Sequence, residues 1–521
     1  MTGENVIFLL HRDHVVDEKI FAWFSWGTSP RIFLTLVLYD EVFFRNNKNL
    51  MNRRKVIDCL PSFLRKLYDR ILLSDIGSRM ARGAFWTFCG TVLGKFFVLI
   101  AGIVVANILG KEQYGELGLV RSTINMFVIF GAAGLGITAT KYIAEFRNTD
   151  KKKVASIYIL TNGFALVTGF LAMLGVLLAA PYLANKTLNA PHLVEEIRFG
   201  AVLLFISVVN SAQLGTLSGF EDFRSSALTT FFSSMAEFIF MIVGAYFYGV
   251  MGALLGYGVG YVVVTALYFV FIRRNMLHYG ICMDYRAVRA KDITVLYNFS
   301  IPAAFSSLLV GPVFWIVRTM LANTSDGYGE LGIYEAADQW KVVILFVPSA
   351  ISGILLPILT NTLSEGNNKS YWKVLKYNIY LNAGLTFVLA LIVSLCASFI
   401  MQMYGEGFDD VWTLIIISFS TIFTSVASVV GIVIASYGKM WIGFGFNLLW
   451  AVLFILFADI LLSYGFGAIG VAWALLFAYM LHCAFMIVYL LIKMKYDIPN
   501  DHIEKLDTYY QDIDNALKSV A

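Results

Sequence analysis

From Gly83 to about Ile492, apolar runs of roughly 20 residues recur, separated by short turns that mostly carry Gly or Asn. A run of that length crosses the hydrocarbon core of a bilayer as a single helix, because each residue rises about 1.5 Å and the core is about 30 Å thick. The pattern predicts twelve spans, at 83–109, 117–140, 154–182, 197–220, 225–248, 251–272, 297–321, 332–359, 374–402, 410–436, 441–463 and 467–492. The expected fold class is therefore an all-α integral membrane protein.

Loop charges test the count independently. Alternate loops carry Lys141, Arg147, Lys151, Lys152 and Lys153; Arg224; Arg273, Arg274, Arg286, Arg289 and Lys291; Lys369, Lys373 and Lys376; and Lys439. The other set carries only Lys111 and Lys186. Positive loops stay on the cytoplasmic side, so the first set is expected inside and, with an even count, both termini are too. A missed span would have scrambled this alternation. Lys111 itself reads as an outer-loop cation with no functional weight.

Two segments repeat. YGELGLV starts at Tyr114 and YGELGIY at Tyr328, an offset of 214; YGVMGALLG at Tyr248 and YGFGAIG at Tyr464 are offset by 216, and the short basic turns at Arg224 and Lys439 by 215. Three anchors at nearly one offset predict two six-helix lobes. Six is even, so the lobes are parallel repeats about an axis along the membrane normal, with a cleft between them. Rocking one lobe against the other would open that cleft to alternate sides. The expected divisions are an N-terminal extension (1–79), a first lobe (80–276), a basic cytoplasmic linker (277–292), a second lobe (293–495) and a cytoplasmic tail (496–521).

Composition sharpens the class and narrows the chemistry. Hydrophobic residues are 59% of the 521 and charged residues 14%, with a mean hydropathy of +0.72, too little charge to cover a soluble surface. A net charge of +4 does not point to nucleic acid. Five cysteines without paired spacing imply no disulfide framework, and six histidines form no metal motif, so neither a metal nor a cofactor is expected. Residues 1–50 show no span. The stretch MNRRKVIDCLPSFLRKLYDR from Met51 reads either as a basic amphipathic segment on the anionic inner surface or as a solvated leader that helps fix orientation.

Glycines and prolines inside the spans carry two expectations. Gly252, Gly256 and Gly260 make a small-residue ridge suited to close packing. Pro302, Pro312, Pro348 and Pro357 are expected to kink spans seven and eight, either at a substrate path or merely in packing.

Charges inside the spans are the candidate chemistry, since each costs about 2.5–3.5 kcal/mol at a helix centre on insertion scales. Lys95 and Glu237 lie near mid-membrane, as does His482, which reads as a packing residue. Arg121, Arg318, Glu335, Asp338, Lys341 and Asp459 lie nearer the outer face. Arg121, Arg318 and Asp459 are near enough to helix ends to reach water, and Asp338 and Lys341, three residues apart, can pair. The cations Arg318, Lys95, Arg121 and Lys341 are candidates for binding an anionic substrate. The carboxylates Glu237, Glu335, Asp338 and Asp459 are candidates for ion coupling.

ILGKEQYGELGLV (108–120), GITATKYIAE (136–145), FSIPAAFSSLL (299–309), GIYEAADQWKVVILFVPSAISGILLPIL (332–359) and MYGEGF (403–408), in this order and spacing, resemble the polysaccharide flippases of the multidrug/oligosaccharidyl-lipid/polysaccharide exporter superfamily. The resemblance covers about residues 80–495. It departs at Asn107, where the family often has Arg, and at Val317, where it often has an acid beside the span-seven Arg that Arg318 matches. It implies a multi-pass protein of the bacterial inner membrane, not an enzyme, that carries an undecaprenyl-diphosphate-linked oligosaccharide between leaflets by alternating access. The lipid-linked oligosaccharide and membrane lipids would be its partners, with polysaccharide polymerase or export machinery as further ones. A drug exporter of the same superfamily is the nearer alternative. A membrane glycosyltransferase or polymerase is the more distant one, because the outer loops are too short for a sugar-binding domain.

Overall fold

The computed structural model describes residues 75–132, 134–283, 309–353, 355, 359, 368–437 and 439–497. The chain divides between Phe85 and Trp86 into two units, and the helical bundle from Trp86 onward belongs to the second. The leader at Met51, most of the 277–292 linker, Pro302, Pro357 and the tail from 498 lie outside the described residues.

Among the described residues every regular element is helical. The α-helices are α1 (Asp75–Ala132), α2 (Leu135–Phe146), α3 (Lys151–Tyr182), α4 (Val194–Phe220), α5 (Phe223–Tyr279), α6 (Val310–Ala322), α7 (Gly327–Gly353), α8 (Asn368–Leu395), α9 (Ala397–Gln402), α10 (Val411–Ser436), α11 (Met440–Ser463) and α12 (Gly467–Asp497). Seven helices are long and apolar enough to cross a membrane. Two of them, with apolar stretches of 47 and 57 residues, are too long for one crossing. Each contains a break: α1 at Gly110 (φ 73°) and α5 at Tyr248–Gly249 (φ 58° at the glycine). Only glycine takes such left-handed angles freely, so these residues end one span and start the next. Counting both limbs of each, and adding α4, α6 and α7 beside them, gives the twelve predicted crossings.

The prolines do not supply the breaks. Pro312 sits in the first turn of α6, where a missing N–H costs nothing, and α7 continues through Pro348. The glycine ridge folds α5 back on itself. Gly252 meets the backbone at Gly244, Gly256 meets Phe240 and Met241, and a Cβ on Gly260 would lie 3.1 Å from that of Glu237.

Acidic caps set the starts of several spans. Asp150 accepts from Lys153 N (3.0 Å), Asp222 from Ser225 N (3.2 Å), and Asp410 from Trp412 N (3.0 Å) and Thr413 N (3.2 Å), which places negative charge at positive helix ends. Arg147, one of the predicted inside cations, is buried and donates to Gly219 O at 3.0 Å while pairing with Glu221 at 2.6 Å. It thereby ties α2 to the α4–α5 turn.

The core positions the cleft. One continuous apolar cluster joins both lobes near the YGELG segments, from Ile103, Leu117 and Val120 to Val317, Leu331, Tyr404 and Phe454. Toward the predicted inside each lobe has its own cluster: Ile143, Leu217 and Met276 in the first, Tyr371, Val430 and Leu490 in the second. Among the described residues the lobes share one cluster at the YGELG end and have separate clusters toward the other, where Phe88 and Phe346 still meet with ring centroids 5.3 Å apart. Their outer faces are apolar. On α3, Leu166, Val167, Phe170, Leu171 and Leu178 are all exposed, a surface suited to lipid.

Candidate functional site in the cleft between the lobes

The two YGELG segments meet each other. A side chain on Gly115 would overlap the Tyr328 carbonyl, one on Gly332 the Lys111 carbonyl, and one on Gly118 would come within 2.9 Å of the Glu335 carboxylate carbon. Glycine here allows the second limb of α1 and the start of α7 to cross backbone to backbone. Bonds between the lobes surround the crossing. Lys111 Nζ donates to Asp326 (2.9 Å), Asn189 Nδ2 to Asn323 Oδ1 (2.9 Å), Asn323 Nδ2 to Thr187 O (2.9 Å) and Tyr328 OH to Leu188 O (2.7 Å). Lys111 is therefore part of the contact between the lobes, contrary to its reading as a bystander.

Below the crossing lies a second, buried layer. Gln339 Nε2 donates to Tyr114 OH (2.6 Å), Tyr404 OH donates to Gln339 Oε1 (3.1 Å), and Trp315 Nε1 donates to Thr123 Oγ1 (2.9 Å). Tyr114, Tyr404 and Phe408 pack ring to ring. Tyr114 and Gln339 of this layer line a cavity of about 680 Å³, within the ~300–1,000 Å³ range of ligand sites.

All four predicted substrate-binding cations, Lys95, Arg121, Arg318 and Lys341, line this cavity, and Glu335 and Asp338 line it with them. Six charges scattered over 247 residues of sequence thus converge on one space. Their partners differ. Arg318 donates through Nε to Glu335 and through Nη2 to Asp338 (2.9 Å), and Lys341 pairs with the other oxygen of Asp338. This network of two cations and two acids is neutral, and all four side chains are at most 18% exposed. In such surroundings a charge persists only when paired, so the network holds α6 to α7 while neutralising itself.

Arg121 is held more loosely. Its nearest acid, Glu237 Oε1, is 3.8 Å away, and its guanidinium lies 4.5 Å from the centroid of the Tyr257 ring. That Glu237 oxygen has no hydrogen-bond partner among the described residues. Lys95 has no acid partner at all among the described residues. Around it the cavity wall offers Thr91, Ser122, Asn125, Thr230 and Ser234. Of these candidates, Arg318 is committed to two acids, while Lys95 has none among the described residues.

Asp459 does not join the Glu335–Asp338 group. It is exposed on α11 and makes no ion pair among the described residues. His482 is buried beside Phe446 and Tyr479, in keeping with a packing role. The sequence reading missed Gln339, Tyr114, Trp315 and the hydroxyl-bearing wall around Lys95. A signal existed for Gln339, which continues the polar run Glu335–Asp338–Gln339 inside a span. For the hydroxyls there was little, since Ser and Thr hydrogen-bond within their own helix and are unremarked in spans.

Comparison with known proteins extends the picture. The chain is 22% identical over 339 residues to the EPS I polysaccharide export inner membrane protein EpsE of Ralstonia solanacearum, covering 61% of this chain and 70% of that one. Its fold matches a multidrug resistance MATE family transporter of the MOP superfamily. The inward-facing form superposes with a TM-score of 0.70 at 18% identity over 78% of this chain and 95% of that one. The outward-facing form gives 0.61 at 17% over 82% and 98%. At these identities the likeness is one of fold: two helical lobes about a central cleft. The family model described as polysaccharide biosynthesis protein matches residues 80–363, more than half of the sequence, and the chain belongs to that family.

Proposed function

We propose that this protein moves a lipid-linked oligosaccharide, carried on undecaprenyl diphosphate, across the bacterial inner membrane by alternating access. The observation that carries the reading is the cavity between the lobes, lined by four cations of which Lys95 has no acid partner among the described residues. A diphosphate leaves water only where fixed donors replace its hydration, and a free ammonium and hydroxyls at the cavity wall provide such donors. The polyprenyl chain has no need of the cavity and would stay among the lipids outside the cleft.

The contacts between the lobes suit one state of the cycle. Among the described residues the polar ones lie at the YGELG end, which the loop charges assign to the outside, and this supports a cavity that faces the cytoplasm. The orientation has its own test. A cysteine at Ser325 should be labelled from outside, and one at Asn368 only after permeabilisation. The reverse would refute it.

Glu237 is the best-placed group for ion coupling, since it sits behind Arg121 with an unpartnered oxygen. Glu335 and Asp338 are less suited, being committed to Arg318 and Lys341. A drug exporter of the same fold would be suited to lipophilic cations, and the cations Lys95 and Arg121, which remain after Glu335 and Asp338 neutralise Arg318 and Lys341, favour an anion instead. A polymerase or export complex is a natural recipient of the translocated product. Protein-dependent translocation of a defined lipid-linked sugar in reconstituted vesicles tests the function, and a chain that moves only lipophilic cations would overturn it.

A further inference from the structure

The two walls of the cavity differ in charge in a way that the function alone does not require. The first-lobe wall contributes Lys95 and Arg121 and no acid, with Glu237 set behind Arg121 rather than in the lining. The second-lobe wall contributes Arg318 and Lys341 together with Glu335 and Asp338, which cancel them. An anion is therefore attracted by one wall and meets carboxylates on the other. Those carboxylates repel phosphate, which accepts hydrogen bonds but has none to donate when ionised. Toward hydroxyl groups they behave oppositely. An ionised carboxylate has about four acceptor positions, and the cations use only some of them. Gln339 lies at the same wall, with its amide fixed between Tyr114 and Tyr404.

We infer that the walls divide the headgroup between them: the first-lobe wall, anchored by Lys95, takes the diphosphate, and the second-lobe wall, through Glu335 and Asp338, takes the first sugar. The inference rests on the lipid-linked oligosaccharide reading and adds the direction in which the substrate lies. It also changes the role of Arg318. That residue holds the two acids in position as sugar acceptors rather than carrying the phosphate. Lys95 stands apart because, among the described residues, its ammonium has no acid to displace before it can bind.

The test is a binding titration on the purified full-length protein with two probes, farnesyl diphosphate and farnesyl diphosphate bearing one N-acetylglucosamine. The wild type should bind both, the sugar-bearing probe more tightly. Lys95→Met should weaken both about ten- to hundredfold, the effect of losing one charge-assisted contact, and leave their ratio unchanged. Lys95→Arg should restore most of that binding. Glu335→Gln and Asp338→Asn should lose the preference for the sugar while binding the bare diphosphate as well as before or better, because each releases a cation. Size-exclusion profiles identify any variant that fails to fold, and Glu335→Gln decides if Asp338→Asn does so. Unchanged diphosphate binding in Lys95→Met, or a sugar preference that survives Glu335→Gln, would overturn the division of the walls. Failure of the wild type to bind either probe would instead overturn the function on which it rests.

Discussion

Tyr114–Gly118 and Tyr328–Gly332 are the same five residues, but the helices diverge within a turn of them. At the offset of 214, Arg121 corresponds to Glu335, Ile124 to Asp338 and Phe127 to Lys341. The shared residues do the same work in both lobes. Their glycines permit the crossing, and each tyrosine reaches the opposite lobe, Tyr114 to Gln339 and Tyr328 to Leu188. Even the shared glutamates act alike, each bonding within its own lobe: Glu116 to His192 at 2.6 Å and Glu330 to Ala468 N at 2.7 Å. Of the positions that differ, Arg121, Glu335, Asp338 and Lys341 line the cavity. The two copies share the residues that join the lobes, of which Tyr114, Leu117 and Gly118 also reach the cavity, and differ in the charges that face it.

The strongest way to break the comparison is to remove the charge network present in only one copy. Arg318→Met strands Glu335 away from water and leaves Asp338 with Lys341 alone, and losing one partner of a buried ion pair costs about 3–5 kcal/mol. Thermal unfolding in detergent should shift down markedly. The double variant Arg318→Met/Glu335→Gln should recover part of the loss, because one stranded charge is gone. Equal stability of the single variant and the wild type would mean that the network does not form.

The shared joint gives a smaller effect. Gly115→Leu puts a side chain where the Tyr328 backbone lies, and overpacking of this kind costs about 1–3 kcal/mol. Gly163→Ala, on an open face of α3, should stay within about 0.5 kcal/mol of wild type. If the two variants melt alike, the crossing is not close-packed.

The smallest effect belongs to the rim. Lys111 and Asp326 are 30% and 56% exposed, so their pair contributes no more than about 0.2–1 kcal/mol. Lys111→Asp and Asp326→Lys should each favour separation of the lobes at that end, measured as distance distributions between spin labels. The double exchange should restore the wild-type distribution, and high salt should reduce all three differences. Single variants indistinguishable from wild type at low salt would remove the pair from the gate.

Much of the fold was legible because a membrane imposes a length on every helix and a sign on every loop. The α10–α12 spans were placed to within one residue at all their starts. The repeat was legible because turn glycines and tyrosines cannot be replaced freely. The turns between spans one and two and between spans five and six were legible too, and in each a glycine at positive φ, Gly110 or Gly249, breaks the helix. Convergence of the four cations was anticipated from their cost in lipid, which is a property of each residue alone. Their pairing was not. Whether Arg318 or Lys95 is free depends on which acids stand opposite in space, and only for Asp338 and Lys341, three residues apart on one helix, did the sequence show it. Lys111 illustrates the same limit, since its partner Asp326 is 215 residues away.

In the proposed cycle Lys95, which has no acid partner among the described residues, carries the anionic headgroup through the cavity, and this role can be measured. It is tested most directly by translocation of a fluorescent undecaprenyl-diphosphate-linked oligosaccharide in vesicles holding either wild-type protein or Lys95→Met at matched insertion. Protein-dependent translocation is expected of the wild type, with a fall of about tenfold or more in Lys95→Met and unfolding temperatures that differ little, because Lys95 has no ion pair to lose among the described residues. Translocation by Lys95→Met at the wild-type rate would contradict it.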